Sequence, residues 1–289
     1  MTSVEKLLGI LDLTQEEEYL FSGDTIDIGS PSVFGGQVLA QALNAATRTV
    51  PEDRIVHSLH GYFILAGDKN KPIYYEVDPI RDGRSFTTRR IVARQDGKAI
   101  FNMAASYQLE QEGYNHQIEM LNVPPPESLI SYPELIREIA KNYNLDPDKI
   151  LSKNRPIDIR PVERIDPFNP GSRPPFRHVW FKAKDILPVN RQIHSYVLAY
   201  ASDFNLLLTA LLPHDARLFE GKLKLASLDH AMWFHRDFKA DEWLLYALDS
   251  PSASNARGFC RGNIFSRDGV LVASVAQEGL IRLRKPKPQ

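Results

Sequence analysis

The chain has 289 residues, 43% hydrophobic and 25% charged, with a formal net charge of −1 at pH 7. That balance builds one large or two ordinary globular domains with a sizeable core, and it lacks the basic excess that marks nucleic-acid or anionic-membrane binding. The single cysteine, Cys260, excludes an intrachain disulfide and a cysteine-based metal site and fits a reducing compartment.

The apolar run near the N-terminus is too short for a signal peptide. Val4, Leu7, Leu8, Ile10 and Leu11 fall at helical spacing and predict an amphipathic helix over 3–12. VFGGQVLAQALNAATRTV (33–50) predicts a second helix, opened by a glycine pair and ended by Pro51. Strand-like runs follow at 54–65, 72–80, 85–95 and 99–109, the last two flanking the hairpin signal DGK. Residues 110–160 read as a connector holding VPPPES and the helix-like YPELIREIAKNY. The second half repeats the order: an apolar helix over 191–212, then strand-like runs at 223–235, 242–250, 255–266 and 270–283, with RDG (267–269) as a tight turn. No run of about 18 apolar residues marks a membrane span. The polar tail RLRKPKPQ is not an S-K-L-type address, so a cytoplasmic location is expected.

Helix-then-strands, used twice, is an α+β design. Local matches support a duplication: VLAQALN (38–44) with VLAYASD (197–203), HSLH (57–60) with SLDH (227–230), and MAASYQ (103–108) with VASVAQ (272–277). The expected partition is a first repeat over 1–115, a connector over 116–160 and a second repeat over 161–289.

Six segments, VFGGQVLAQAL, HSLHGYF, RDGRSF, YASDFN, LDHAMWFHR and ASNARGF with RDGVLVASVAQEG, together resemble the acyl-CoA thioesterase II family over nearly the whole chain. The resemblance implies a double-hotdog fold, hydrolysis of fatty acyl-CoA, no cofactor or metal, and a homo-oligomer. It also implies that an Asp on the second-half helix, a hydroxyl residue on the next strand and a Gln on the last strand hold the hydrolytic water. Carried over by motif, these are Asp203, Ser227 and Gln277. Serine stands where many members have threonine; both supply one hydroxyl donor.

The chemistry is consistent with these residue types. A thiol with a pKa of about 8.5 leaves without much acid assistance, so the enzyme has to position water, take its proton and stabilise an oxyanion. Asp203 lies in an apolar helical run, where desolvation makes a carboxylate a better base. Strand alternation puts Ser227 and Asp229 on one face and Leu228 and His230 on the other, so His230 and Asp229 are expected to be structural. The first-half counterparts, Asn44, His57 or Ser58, and Gln108, lack a carboxylate, which predicts one competent site, in the second half. His57 is the rival base or a substrate-side residue. The Gly35-Gly36 pair either offers N–H groups to an oxyanion or makes a tight turn. Arg84, Arg89, Arg90, Arg257 and Arg261 either meet CoA phosphates or form a solvated face. G-x-S-x-G, H-E-x-x-H and phosphate-binding glycine loops are absent. LAGDKNKP (65–72) only partly matches a hotdog enoyl-CoA hydratase pattern, leaving that enzyme, or a non-catalytic acyl-CoA-binding protein, as the alternative.

Overall fold

The computed structural model describes residues 1–151, 155–221 and 223–284; the end of the polar tail lies outside them. Helix α1 (Ser3–Leu11) begins on a capping box in which Thr2 and Glu5 satisfy each other's backbone N–H groups. A short hairpin, β1 (Thr14–Glu17) and β2 (Leu20–Gly23), leads to α2 (Gly35–Thr47). Every α2 residue from Gly36 to Thr47 is buried, as expected of a helix with neighbours all round. The strands β3 (Ile55–Phe63), β4 (Ile73–Asp82), β5 (Phe86–Gln95) and β6 (Lys98–Gln108) follow it. β5 and β6 meet at Asp96-Gly97, with φ of 48° and 74°, the two-residue turn whose twist suits a hairpin.

The connector carries α3 (Tyr132–Asn142), started by a second capping box, Ser131 with Glu134. The pattern then recurs as β7 (Ile157–Pro161), β8 (Phe176–Ala183), α4 (Arg191–Ser202), β9 (Leu223–Ser227), β10 (Asp229–Phe234), β11 (Leu244–Ser254), β12 (Arg257–Ser266) and β13 (Leu271–Leu283). Three expectations need correction. The helix predicted over 191–212 stops at Ser202, and a 3-10 helix, Leu207–His214, continues the apolar run. The strand predicted over 223–235 is broken at Leu228. Asn255 and Ala256, expected to open a strand, are the positive-φ turn (46° and 59°) between β11 and β12. The two preceding hairpin-like strand pairs, β1–β2 and β7–β8, were not expected.

The sheet runs β1-β2-β4-β5-β6-β3-β10-β13-β12-β11-β8-β7, with β9 also on β13. β3 and β10 pair antiparallel, Leu59 opposite Met232 and His60 opposite Ala231, and so join the two repeats into one continuous sheet. α2 and α4 lie side by side in its concavity, with Leu39, Leu43, Leu198 and Tyr200 fully buried among sheet residues such as Ile91, Tyr107 and Tyr246. This is the α+β double-hotdog architecture. β7 already pairs with β8 in the second repeat's sheet, so we propose that the repeats divide within the connector before residue 157. By length and hydropathy the stretch Arg191–His214 matches a membrane span, yet 78% of its apolar window is buried inside the fold.

Candidate active site

α2 begins without a side-chain cap of its own, because Phe34 occupies the N-cap position. Asp203 of the other repeat supplies one. α4 ends at Asp203, just before Asn205 turns into the left-handed region at φ 67°, and the carboxylate crosses to α2, where Oδ2 accepts the Gly36 N–H at 2.9 Å. The positive end of the α2 dipole favours a carboxylate at that place. Asp203 is therefore a helix-end residue, not a mid-helix one, and its carboxylate reaches from the second repeat to the first. Gly36 N–H is spent on Asp203, whereas Gly35 N–H has no partner among the described residues.

The break at Leu228 decides which side chains face this carboxylate. Ser227 stands opposite Gly279 and Ala231 opposite Ala276, so the β9–β10 run has one residue more than its partner. That is a β-bulge. Leu228 sits in it, donating its N–H to Glu278 O and accepting from Phe63 N–H, both at 2.9 Å. The extra residue cancels the expected alternation and lets both Ser227 and His230 join the Gln277 side chain.

Gln277 Nε2 donates to Ser227 Oγ at 2.5 Å, and Gln277 Oε1 lies 2.9 Å from His230 Nδ1. An amide oxygen only accepts, so in this amide orientation the bond takes a proton on His230 Nδ1. His230 Nε2 lies 3.0 Å from Ser202 Oγ, whose hydroxyl also donates to Ala199 O at 2.9 Å. Burial holds His230 below the ordinary histidine range, against the pull of the Asp203 charge. His230, fully buried, thus bridges the Gln277 side chain and Ser202. Sequence reading identified a hydrogen-bonding histidine but placed it on the opposite face. Burial raises the Asp203 pKa, opposed in decreasing order by electrostatic attraction to the His230 ring, the Gly36 N–H, and hydrogen bonds from Gln277 and Ser227. Asp229 stays outside this network and accepts the Glu278 N–H at 2.6 Å.

The other expected residues separate. His57 bonds to Ser106 Oγ at 2.8 Å and lines a different cleft with Gln108, Arg191 and Ser195. It lies at the far end of β3 from Phe63, about 20 Å away at the rise of an extended strand; Phe63 is the end that meets Gly35. Arg89 is 3% exposed and engaged by Thr49 and Asp82. Arg90 pairs with Asp78, Arg257 with Glu278 and Arg261 with Asp249. The matching groups of the first repeat are engaged elsewhere. Asn44 lies in the last turn of α2 and donates to Leu11 O, and α4 is already capped by Asn190, whose side chain takes the Gln192 and Ile193 N–H groups. No group of three or more His, Cys, Asp or Glu side chains placed to hold a metal occurs among the described residues.

Gly35 is a packing requirement of this centre. A Cβ there would stand 2.7 Å from Asp203 Oδ2 and 3.0 Å from the Phe63 ring. Both neighbours are side-chain tips that can move, so Gly35→Ala is expected to leave the melting temperature within about 3 °C while turnover falls about tenfold or more through displacement of the carboxylate. Thermal melts beside steady-state kinetics would separate the two effects.

Comparison with known proteins covers both repeats. The family described as acyl-CoA thioesterase matches residues 148–280, and the acyl-CoA thioesterase N-terminal domain matches residues 22–108. The chain is 39% identical to acyl-CoA thioesterase 2 of Haemophilus influenzae, over 96% of this chain and 98% of that one. It superposes on the acyl-CoA thioesterase II TesB2 of Mycobacterium marinum with a TM-score of 0.80 and 41% identity, covering 96% and 99% of the two chains. A hot-dog-fold protein of Alicyclobacillus acidocaldarius, 18% identical, shares the fold over 97% and 99% of the chains at a TM-score of 0.77. With both repeats matched and the identity sustained from end to end, the chain belongs to the acyl-CoA thioesterase II family.

Proposed function

We propose that Asp203 is the general base of acyl-CoA hydrolysis in this chain, with Ser227 and Gln277 completing the hydrogen bonds of the attacking water. The observation that carries this reading is the convergence of Ser227, Gln277 and the Gly36 N–H on one partly desolvated carboxylate. A water admitted among them donates to Asp203 and accepts from Ser227 or Gln277. Its oxygen bonds to the thioester carbonyl carbon as Asp203 takes its proton, and the Gly35 N–H at the α2 N-terminus faces the developing oxyanion. The C–S bond then breaks, and the proton passes to the departing CoA thiolate. Fatty acyl-CoA is the substrate we infer, with a free fatty acid and CoA as products. We place the chain in the cytoplasm, where a lone buried Cys260 stays reduced, and in an assembly of like chains.

The test is release of free thiol from acyl-CoAs of graded chain length. Release supports the reading, whereas binding without release would leave an acyl-CoA-binding protein, and hydration of enoyl-CoA would leave a hydratase. A pH profile adds a signature. Because burial lifts the Asp203 pKa and the base works only when ionised, kcat/KM is expected to fall on acidification at a pH above that of an ordinary aspartate. An acid limb at or below the ordinary aspartate range would argue against Asp203 as the base.

A further inference from the structure

A guanidinium faces a small, otherwise largely apolar cavity next to the end of α4. Arg177, on β8, is 8% exposed, and its buried Nε has no hydrogen-bond partner among the described residues. The carboxylate whose charge reaches it, Glu163, spends both oxygens on His178, at 2.7 Å from the backbone N–H and 2.7 Å from Nδ1. Arg177 lines a cavity of about 70 Å³ together with Ile165, Pro167, Leu208 and Leu212. That is room for about five water-sized groups. An unmet buried donor costs more than a typical hydrogen bond returns, so a guanidinium kept here calls for an acceptor that comes and goes.

The cavity adjoins the catalytic centre. Asn205 forms part of its wall and stands two residues after Asp203, within about 7 Å along the chain. Tyr132, also in the wall, carries Arg155 over its ring at 4.8 Å. Arg155 in turn acts, with Asp203, on Tyr200, whose hydroxyl is buried and likewise unpartnered.

We propose that this cavity receives a carboxylate at the end of a short alkyl segment, with Arg177 binding its oxygens and the apolar wall taking the adjoining methylenes. The carboxylate belongs either to the far end of an ω-carboxyacyl-CoA substrate or to a separate small carboxylic acid. The inference rests on the reading of Asp203 as the hydrolytic centre.

The experiment compares kcat/KM for matched saturated acyl-CoAs with and without an ω-carboxylate, in wild type, Arg177→Met and Arg177→Lys. In parallel, sodium hexanoate is titrated into each protein by calorimetry. Loss of a charge-assisted pair is expected to lower the ω-carboxy to plain-chain ratio about tenfold or more in Arg177→Met, with Arg177→Lys between it and wild type. That result assigns the carboxylate to the substrate. Hexanoate binding lost in Arg177→Met with an unchanged ratio assigns it to a separate acid. A ratio and a hexanoate affinity both indifferent to Arg177 overturn the proposal, as does a large loss of thermal stability in both variants with the ratio intact, which marks Arg177 as structural. Failure of the Asp203 reading is distinguishable, because it would appear as turnover surviving Asp203→Asn on both substrate types.

Discussion

Asp203→Asn is expected to lower kcat for acyl-CoA hydrolysis by about a hundred- to ten-thousandfold, the range for loss of a positioned general base, with little change in KM. Asparagine keeps an oxygen that can accept the Gly36 N–H, so the α2 cap survives and only the proton acceptor is lost. The same variant is expected to be more stable than wild type at neutral pH. Burial raises the folded-state pKa of Asp203, so the folded chain holds that proton more tightly than the unfolded chain does. Ionised Asp203 therefore costs stability above its folded pKa, and that cost disappears as pH falls to the unfolded value near 3.9. Asparagine removes it at every pH. Melting temperatures of variant and wild type should differ most near neutrality and converge on acidification. Near-normal thiol release by the variant would sink the assignment and direct the search for a base to His230. Equal melting temperatures across the pH range would show that the carboxylate is solvated, contrary to its place between the two helices.

The duplicated fold was legible because each repeat has an apolar helix that only a wrapping sheet can bury, and because tight turns such as Asp96-Gly97 punctuate the strands. The hairpin β1–β2 was not, since residues 14–17 are all exposed and carry no alternation. Asp203, Ser227 and Gln277 were reached by motif. Their geometry was beyond sequence for three separate reasons. The apolar run LLLTALL continues past Asp203 because the 3-10 helix is buried too, which hides the end of α4. A single-residue bulge at Leu228 leaves no mark on composition, yet it reverses the face on which His230 lies. The Gly36 cap of Asp203 joins residues 167 apart in the chain, a contact set by the packing of one repeat on the other.

Gly36→Ala tests that packing directly and is expected to be the most destabilising single change in the site. A Cβ at position 36 would fall well inside contact distance of the Tyr200 backbone carbonyl, and 2.5 Å from the Phe34 ring. Unlike the neighbours of Gly35, the Tyr200 carbonyl belongs to helix backbone and cannot rotate away. α2 and α4 must then separate, and overpacking of a close-packed contact costs about 3 kcal/mol. For a chain of this size that corresponds to a fall in melting temperature of roughly 6–12 °C. The same separation lengthens the bond from Gly36 N–H to Asp203 Oδ2, so the folded remainder should also turn over slowly. Thermal melts with activity normalised to folded protein would separate the two consequences. A variant that melts like wild type would show that the helices are not in contact at Gly36. One that melts low but hydrolyses normally per folded molecule would show that the Gly36 cap does not position the base.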